Sequence, residues 1–401
     1  MTEGLFSRLS NAPTITDLQQ TAQLALQVEF STIPVYLSAL YSIANTDSYA
    51  YQALRSVAIE EMFHVNQAAN IIVALGALPK FTDSAVPVYP GYLPQANPNT
   101  TPHIGLFRAS PSVFGDVFAG IESPAEFGAP PQGNNYDSIA QLYAAFVDAV
   151  TAYPENPFTN TGPGRQRTDI YIGKFGGDVQ PVIDKESFMT AVNEIVKQGE
   201  GTVPAEAPLV PFEATGTYNH YGHRTDGTYG PILGTPYELS HFAKFRKVSL
   251  EPTVFPDTYP VISNPVTSDY TNPTAIQLAT TFDQQYSIML RAFEKSFNAS
   301  EADPYFGVVL SIMHRVLPDL ARSLMQTPAF NGGNSSVGPT AAPAWIYVND
   351  ESIKQKQVAL NLQETMDQLA NGQQEDQIRL HLKSALAGCQ EILSITEKLD
   401  L

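Results

Sequence analysis

The chain has 401 residues, of which 43% are hydrophobic, 10% aromatic and only 15% charged. That composition supports a sizeable core and excludes a disordered chain, and the length allows two modules or one large domain with insertions. Forty acids against 22 bases give a net charge of −18, which repels nucleic acid and anionic lipid and excludes a basic-groove reader.

Cys389 is the single cysteine, so an intrachain disulfide framework and a cysteine-ligated zinc or iron–sulfur site are excluded. Met1 to Thr14 lacks a basic segment followed by an apolar one, and no run of about 18 apolar residues occurs. The expectation is an acidic, cytoplasmic protein with neither a nucleic-acid nor a membrane partner.

Two long helical patterns open the chain. The first, from about Thr14 to Ala44, places Leu18, Ala22, Leu26, Ile33, Leu37 and Leu40 at three- and four-residue spacings, with Thr16 and Asp17 as N-terminal capping or first-turn residues. Pro34 lies inside it and predicts a kink that frees the Phe30 carbonyl. The second runs from about Ser48 to Leu78 and stops at Pro79, after Gly76. From Pro79 to Asp137 the pattern breaks into prolines and glycines, with one short helix near Ser112 to Ile121. Helices follow at Ser138–Tyr153 and Asp184–Glu200, then a Gly-, Thr-, Pro- and Tyr-rich loop over 201–235, then a helix from Pro236 to Val248. Further periodic segments lie at Ala275–Asn298, Pro304–Met325, Ile353–Ala370 and Glu375–Leu399. Asn371-Gly372 is a helix stop between the last two. Strand signals are few, so the predicted fold is an all-α helical bundle with long loops, the core bundle drawing on 14–44, 48–78, 184–200 and 236–250. Residues 1–260 form the bundle with its insertions, and 261–401 form a helical extension packed on it.

Several acids and histidines fall on apolar stripes. Glu29 sits four residues after Ala25 and four before Ile33; Glu61 and His64 are spaced i, i+3 on the stripe of Val57, Ala58 and Ala68. Glu200 continues the Val192–Val196 line. Glu238 and His241 repeat the i, i+3 spacing, with Phe242 and Phe245 behind them. A lone glutamate on such a stripe is more often a boundary residue, and one Glu-x-x-His pair is weak by itself. Four inward carboxylates are different. Unpaired, each costs several kcal/mol or titrates to neutral, and few lysines lie near these stripes. Metal cations answer the problem in one step. Glu60, about 100° from Glu61 around the helix, is read as solvated or as a partner behind the ligands; Glu194 points away from the core, and Glu122 is read as a surface residue or a cap.

Glu, Glu-x-x-His, Glu, Glu-x-x-His on four helices is the ligand plan of ferritin-like carboxylate-bridged dimetal bundles. Residues at i and i+3 share a helix face, so one carboxylate and one imidazole reach the same metal pair. Hard carboxylates with imidazole suit iron, with manganese or a single ion as alternatives. The expected ligands are Glu29, Glu61, His64, Glu200, Glu238 and His241, with Glu61 and Glu238 bridging two ions.

Leu26-Gln27-Val28-Glu29-Phe30-Ser31-Thr32-Ile33-Pro34 and Glu60-Glu61-Met62-Phe63-His64 resemble the ferritin-like domain of the iminophenyl-pyruvate dimer synthase family. Gln198-Gly199-Glu200-Gly201, Glu238-Leu239-Ser240-His241-Phe242 and Gly338-Pro339-Thr340 are similar to that family's later motifs. The resemblance spans about residues 15–345. It implies oxidative coupling of aryl-pyruvate imines in secondary metabolism, with a flavin amino-acid oxidase supplying the substrate. The 201–235 loop has no place in the family pattern. Two classes are therefore carried forward: a di-iron oxidoreductase acting on a small aromatic molecule, and a non-enzymatic ferritin-like iron-binding or structural protein.

The loop itself holds Tyr218, His220, Tyr221, His223 and Tyr229. Tyrosine faces suit an aromatic substrate, and loops beside a rigid bundle often gate its site. Tyr218, His220, Tyr221 and His223 are thus candidates for the pocket mouth, against the plainer reading of a surface loop packed on itself. His103, His314 and His381 stand singly. Cys389 reads as a core residue. Neither a nucleophile elbow nor a glycine-rich nucleotide fingerprint occurs.

Overall fold

The computed structural model describes residues 4–123, 135–168, 170, 179–200, 239–251, 254–300, 302–370 and 376–401. Among them the chain is all-α; strand-like contacts are limited to isolated bridges such as Ile43 with Thr258. No described helix is long and apolar enough to cross a membrane.

A short helix α1 (Leu5–Ser10), absent from the sequence reading, leads into α2 (Ile15–Ser42). The Arg8 guanidinium ties the two by an ion pair with Asp17 at 2.7 Å. Thr14 and Asp17 cap α2 reciprocally: the Asp17 N–H donates to the Thr14 hydroxyl at 3.2 Å, and the Thr14 N–H to the Asp17 carboxylate at 3.0 Å. The helix carries on through Pro34 to Ser42.

After a tight connection, α3 (Tyr49–Ala74) runs back along α2, and this pair is the backbone of the bundle. It ends four residues before the expected Leu78. Gly76 adopts φ +84°, and the N–H groups of Gly76 and Ala77 donate to the carbonyls of Val73 and Ile72. A left-handed residue with those two bonds terminates a helix, and glycine enters that conformation without a Cβ penalty.

The weak helix predicted near 112–121 is a π-helical turn, Val113–Phe118, continuing into α4 (Ala119–Ile121). Next come α5 (Ile139–Ala152), α6 (Lys185–Gly199) and α7 (His241–Leu250). The sequence reading starts the last of these at Pro236. Instead, Ser240 is extended at φ −60°, ψ 162°, and its hydroxyl accepts from the Ala243 N–H. That cap makes His241 the first helical residue; Glu238 lies outside the described residues.

The remaining helices are α8 (Pro273–Ser296), α9 (Ala302–Ser311), α10 (Leu317–Met325), α11 (Gln355–Ala370), α12 (Asp376–Glu391) and α13 (Leu393–Leu399). A second π-helical turn, Ile312–Val316, joins α9 to α10. α10 packs on both α2 and α8, so the later helices share one contiguous apolar core with the first ones. The expected final helix from Glu375 is two helices, and Asn371-Gly372 lies outside the described residues. Cys389 is fully buried, as expected, and burial pushes its thiol up to about 12.

Candidate metal centre

Glu29 comes from the middle of α2, and Glu61 and His64 from the facing stretch of α3. All three are at most 2% exposed. Their donor atoms lie close enough to hold one ion, and a second group, Glu61, Glu122 and His241, is built in the same way. Glu61 belongs to both. Its Oε1 is 3.7 Å from His64 Nδ1 and 2.9 Å from His241 Nδ1. Glu29 Oε2 is 3.3 Å from His64 Nδ1, and Glu122 Oε1 is 3.5 Å from His241 Nδ1. The two imidazoles stack with centroids 5.4 Å apart.

Each imidazole is held from behind. His64 Nε2 meets Gln198 Oε1 at 2.8 Å, and His241 Nε2 meets Glu60 Oε2 at 2.9 Å. Lys244, itself fully buried, pairs with the same Glu60 oxygen at 2.7 Å. Glu60 is therefore a partner behind the ligands and not a solvated residue. This arrangement fixes the tautomer and aims both Nδ1 atoms at the carboxylates. Thr32 donates to Glu61 Oε2 at 2.8 Å, and the Tyr36 hydroxyl to Glu122 Oε1 at 2.5 Å.

Several buried donor atoms of the cluster lack a hydrogen-bond partner: Glu29 Oε1, His64 Nδ1 and His241 Nδ1. Such atoms are costly when left unpaired in a core. The electrostatics agree. Burial pushes the Glu29 carboxyl up to about 7. Burial also opposes charge on His64, but the Glu29 and Glu61 carboxylates outweigh it and lift the ring to about 10. Burial opposes ionisation of Glu61 too, and the two histidines outweigh it to hold its carboxyl low. An anionic cluster that draws protons onto its own imidazoles is one that a cation would relieve. The donor set, three carboxylates and two imidazoles in a dry site, fits hard or borderline divalent ions.

Not every expected ligand is placed in these groups. Glu200 caps the end of α6, and its Oε1 accepts from the Ala140 N–H at 2.8 Å. It is 8% exposed, and burial, with the nearby Glu122 and Glu29 charges, lifts its carboxyl to about 7. It is a neighbour of the cluster, and α6 serves the site chiefly through Gln198. Glu238 lies outside the described residues, as do Tyr218, His220, Tyr221 and His223.

Glu122, read from sequence as a surface residue or cap, does cap α4 but is only 2% exposed. A signal for it was present: Phe114, Phe118 and Glu122 are spaced i, i+4, i+8, the same alignment that singled out Glu200. Its place beside Pro124 at the end of a short helix is what made it read as a surface residue or a cap. Phe118 and Phe245 pack on Tyr36 with centroids 5.2 and 5.1 Å away, closing an apolar wall behind Glu122.

Inward carboxylates and imidazoles from separate helices form groups that could hold metal ions within a helical bundle. The chain belongs to the ferritin-like family: the family model described as Ferritin-like matches residues 22–250, from α2 to the end of α7. A crystal structure of a ferritin-like protein from Caulobacter vibrioides has a similar fold, with a TM-score of 0.55, 21% identity, and coverage of 84% of this chain and 99% of that one. No curated protein matches the sequence.

Proposed function

We propose that this protein is a di-iron oxidoreductase acting on a small aromatic molecule. The observation that supports the reading is the pair of three-residue groups joined by Glu61, with both imidazoles tethered from outside and unpaired Nδ1 atoms inside. Glu29 and His64 would hold one ion, Glu122 and His241 the other, and Glu61 would contribute to both. Glu238, three residues before His241, is proposed as a further carboxylate donor. When bound, an iron pair supplies one-electron redox chemistry with oxygen or peroxide.

The chain's own residues would do the rest. Gln198 and Glu60 keep the imidazoles oriented, and the aromatic wall excludes water. Tyr136 and Tyr143 are fully buried and both feel the Glu29 charge, and Tyr143 interacts with that carboxylate directly. The Tyr136 hydroxyl has no hydrogen-bond partner, and an unpaired donor near the carboxylates favours a site that receives a polar group. The family resemblance extends the reading to coupling of aryl-pyruvate imines supplied by a flavin amino-acid oxidase.

The test is metal analysis of protein loaded with ferrous iron, followed by single-turnover oxygen consumption with and without aryl-pyruvate imines. Two irons per chain and substrate-dependent consumption are expected. Two irons with no substrate dependence across an aromatic panel would leave the non-enzymatic iron-binding alternative. Failure to retain metal would reject both.

A further inference from the structure

The sequence turns a second set of residues away from the metal cluster. At about 100° per residue, Ile59, Met62 and Asn66 of α3 lie on the opposite side of that helix from Glu60, Glu61 and His64; on α2, Pro34 and Leu37 are turned roughly 140° and 80° from Glu29, while Ile33 borders its stripe. These residues line an apolar cavity of about 130 Å³ between the α2–α3 pair and the later helices. Met289 and Phe293 of α8, Phe306 of α9 and Met313 of the second π-helical turn close it. Leu310, on the same wall, is 37% exposed and marks where the cavity nears the surface.

Protein cores are close-packed, and a void of this size is one that folding normally fills. Its lining is not wholly apolar. Asn66 is 2% exposed, and its Nδ2 donates to the Arg167 carbonyl at 3.0 Å. That bond fixes the amide orientation and leaves Oδ1, which has no partner. Tyr286, 1% exposed, is also among the lining residues. Water is a poor tenant, since a buried water wants about two to four polar partners and apolar cavities of about 150 Å³ stay dry and accept benzene. A single aromatic ring therefore matches the volume, and the unpaired acceptor calls for a donor on that ring. Three methionines around it (Met62, Met289 and Met313) give soft walls that adapt to a ring.

We propose that this cavity binds a small neutral phenol-like molecule, its ring held between α3, α8 and the second π-helical turn and its hydroxyl donating to Asn66 Oδ1. The site is separate from the metal centre and does not depend on the function assigned to it.

The test uses p-cresol and toluene as probes of nearly equal shape that differ in the hydroxyl, with binding to the full chain followed by calorimetry. Saturable p-cresol binding at least 10-fold tighter than toluene is expected. Met313→Trp, which fills the cavity from a partly buried position, should abolish binding of both while leaving metal content unchanged. Asn66→Leu should bring the two probes to equal affinity; where that variant folds poorly, the p-cresol to toluene ratio in the unmodified chain carries the same information. Equal affinities in the unmodified chain, no saturable binding of either, or binding that survives Met313→Trp would each overturn the proposal.

Discussion

Lys244→Met tests the support behind His241. Lys244 and Glu60 are 0% and 1% exposed and 2.7 Å apart, so solvent does not screen the pair. Coulomb's law at an effective dielectric near 20 gives about 6 kcal/mol for that separation. Burial opposes ionisation of Glu60, and Lys244, then His241, outweigh it to hold the carboxyl low. Because His241 also approaches Glu60, at 2.9 Å, removing the lysine leaves the carboxylate partly compensated. The expected loss is thus about 3 kcal/mol, the lower end of the roughly 3–5 kcal/mol found when one partner of a buried pair is deleted. Lys244→Met with Glu60→Gln should recover most of it, since glutamine keeps a hydrogen bond to the ring without a charge. Urea denaturation of the parent, both single variants and the double variant measures the coupling. Metal affinity of Lys244→Met should also fall about 10–100-fold, as Glu60, the anchor of His241, loses the cation that holds it in place. A single variant costing under about 1 kcal/mol, or a double variant costing the sum of the singles, would refute the reasoning.

Three further outcomes are expected. Asp283 is 5% exposed, and burial raises its carboxyl from 3.8 to about 7, against the opposing Ile346 N–H bond. A carboxyl whose folded pKa is raised costs stability as pH rises from about 4 to about 7, so Asp283→Asn should stabilise by about 1–4 kcal/mol at pH 8 and by little near pH 4; urea midpoints that shift equally at both pH values would contradict this. Gly76→Ala, at φ +84°, should cost about 1–2 kcal/mol, whereas Gly307→Ala inside α9, where an added Cβ meets nothing within 4 Å, should stabilise by about 0.5–1 kcal/mol; thermal melts with opposite signs check the pair. Glu122→Ala should lose at least one bound ion and Glu200→Ala should keep two, measured by elemental analysis of purified protein; the reverse would move the ligand role to Glu200.

The all-α class and most helix positions were legible because they rest on local rules. Apolar residues at three- and four-residue spacing act over one or two turns, so single-sequence patterns carry them, whereas the cap fell on Thr14 with Asp17 and not on Thr16, and the stop came at Gly76 and not at Pro79. Glu29, Glu61 and His64 were legible for a related reason. On long helices such as α2 and α3 the apolar stripe is well defined, and an acid or histidine on it is conspicuous.

The other half of the site depends on geometry that periodicity does not encode. Glu122 closes a short helix beside Pro124, where periodicity does not tell a terminal cap from a buried ligand. His241 was singled out by its spacing from Glu238, which lies outside the described residues; in the structure Ser240 caps α7, and His241 reaches the cluster as the first residue of that helix. Glu60 shows the same limit from the other direction. Its angle on α3 points it off the Glu61 stripe, correctly, but what lies there is Lys244, a buried cation supplied by a helix 180 residues further along the chain, roughly. Angular position on one helix identifies which residues face inward; which charges they meet is decided by the packing of distant segments, and that is where the reading from sequence stopped.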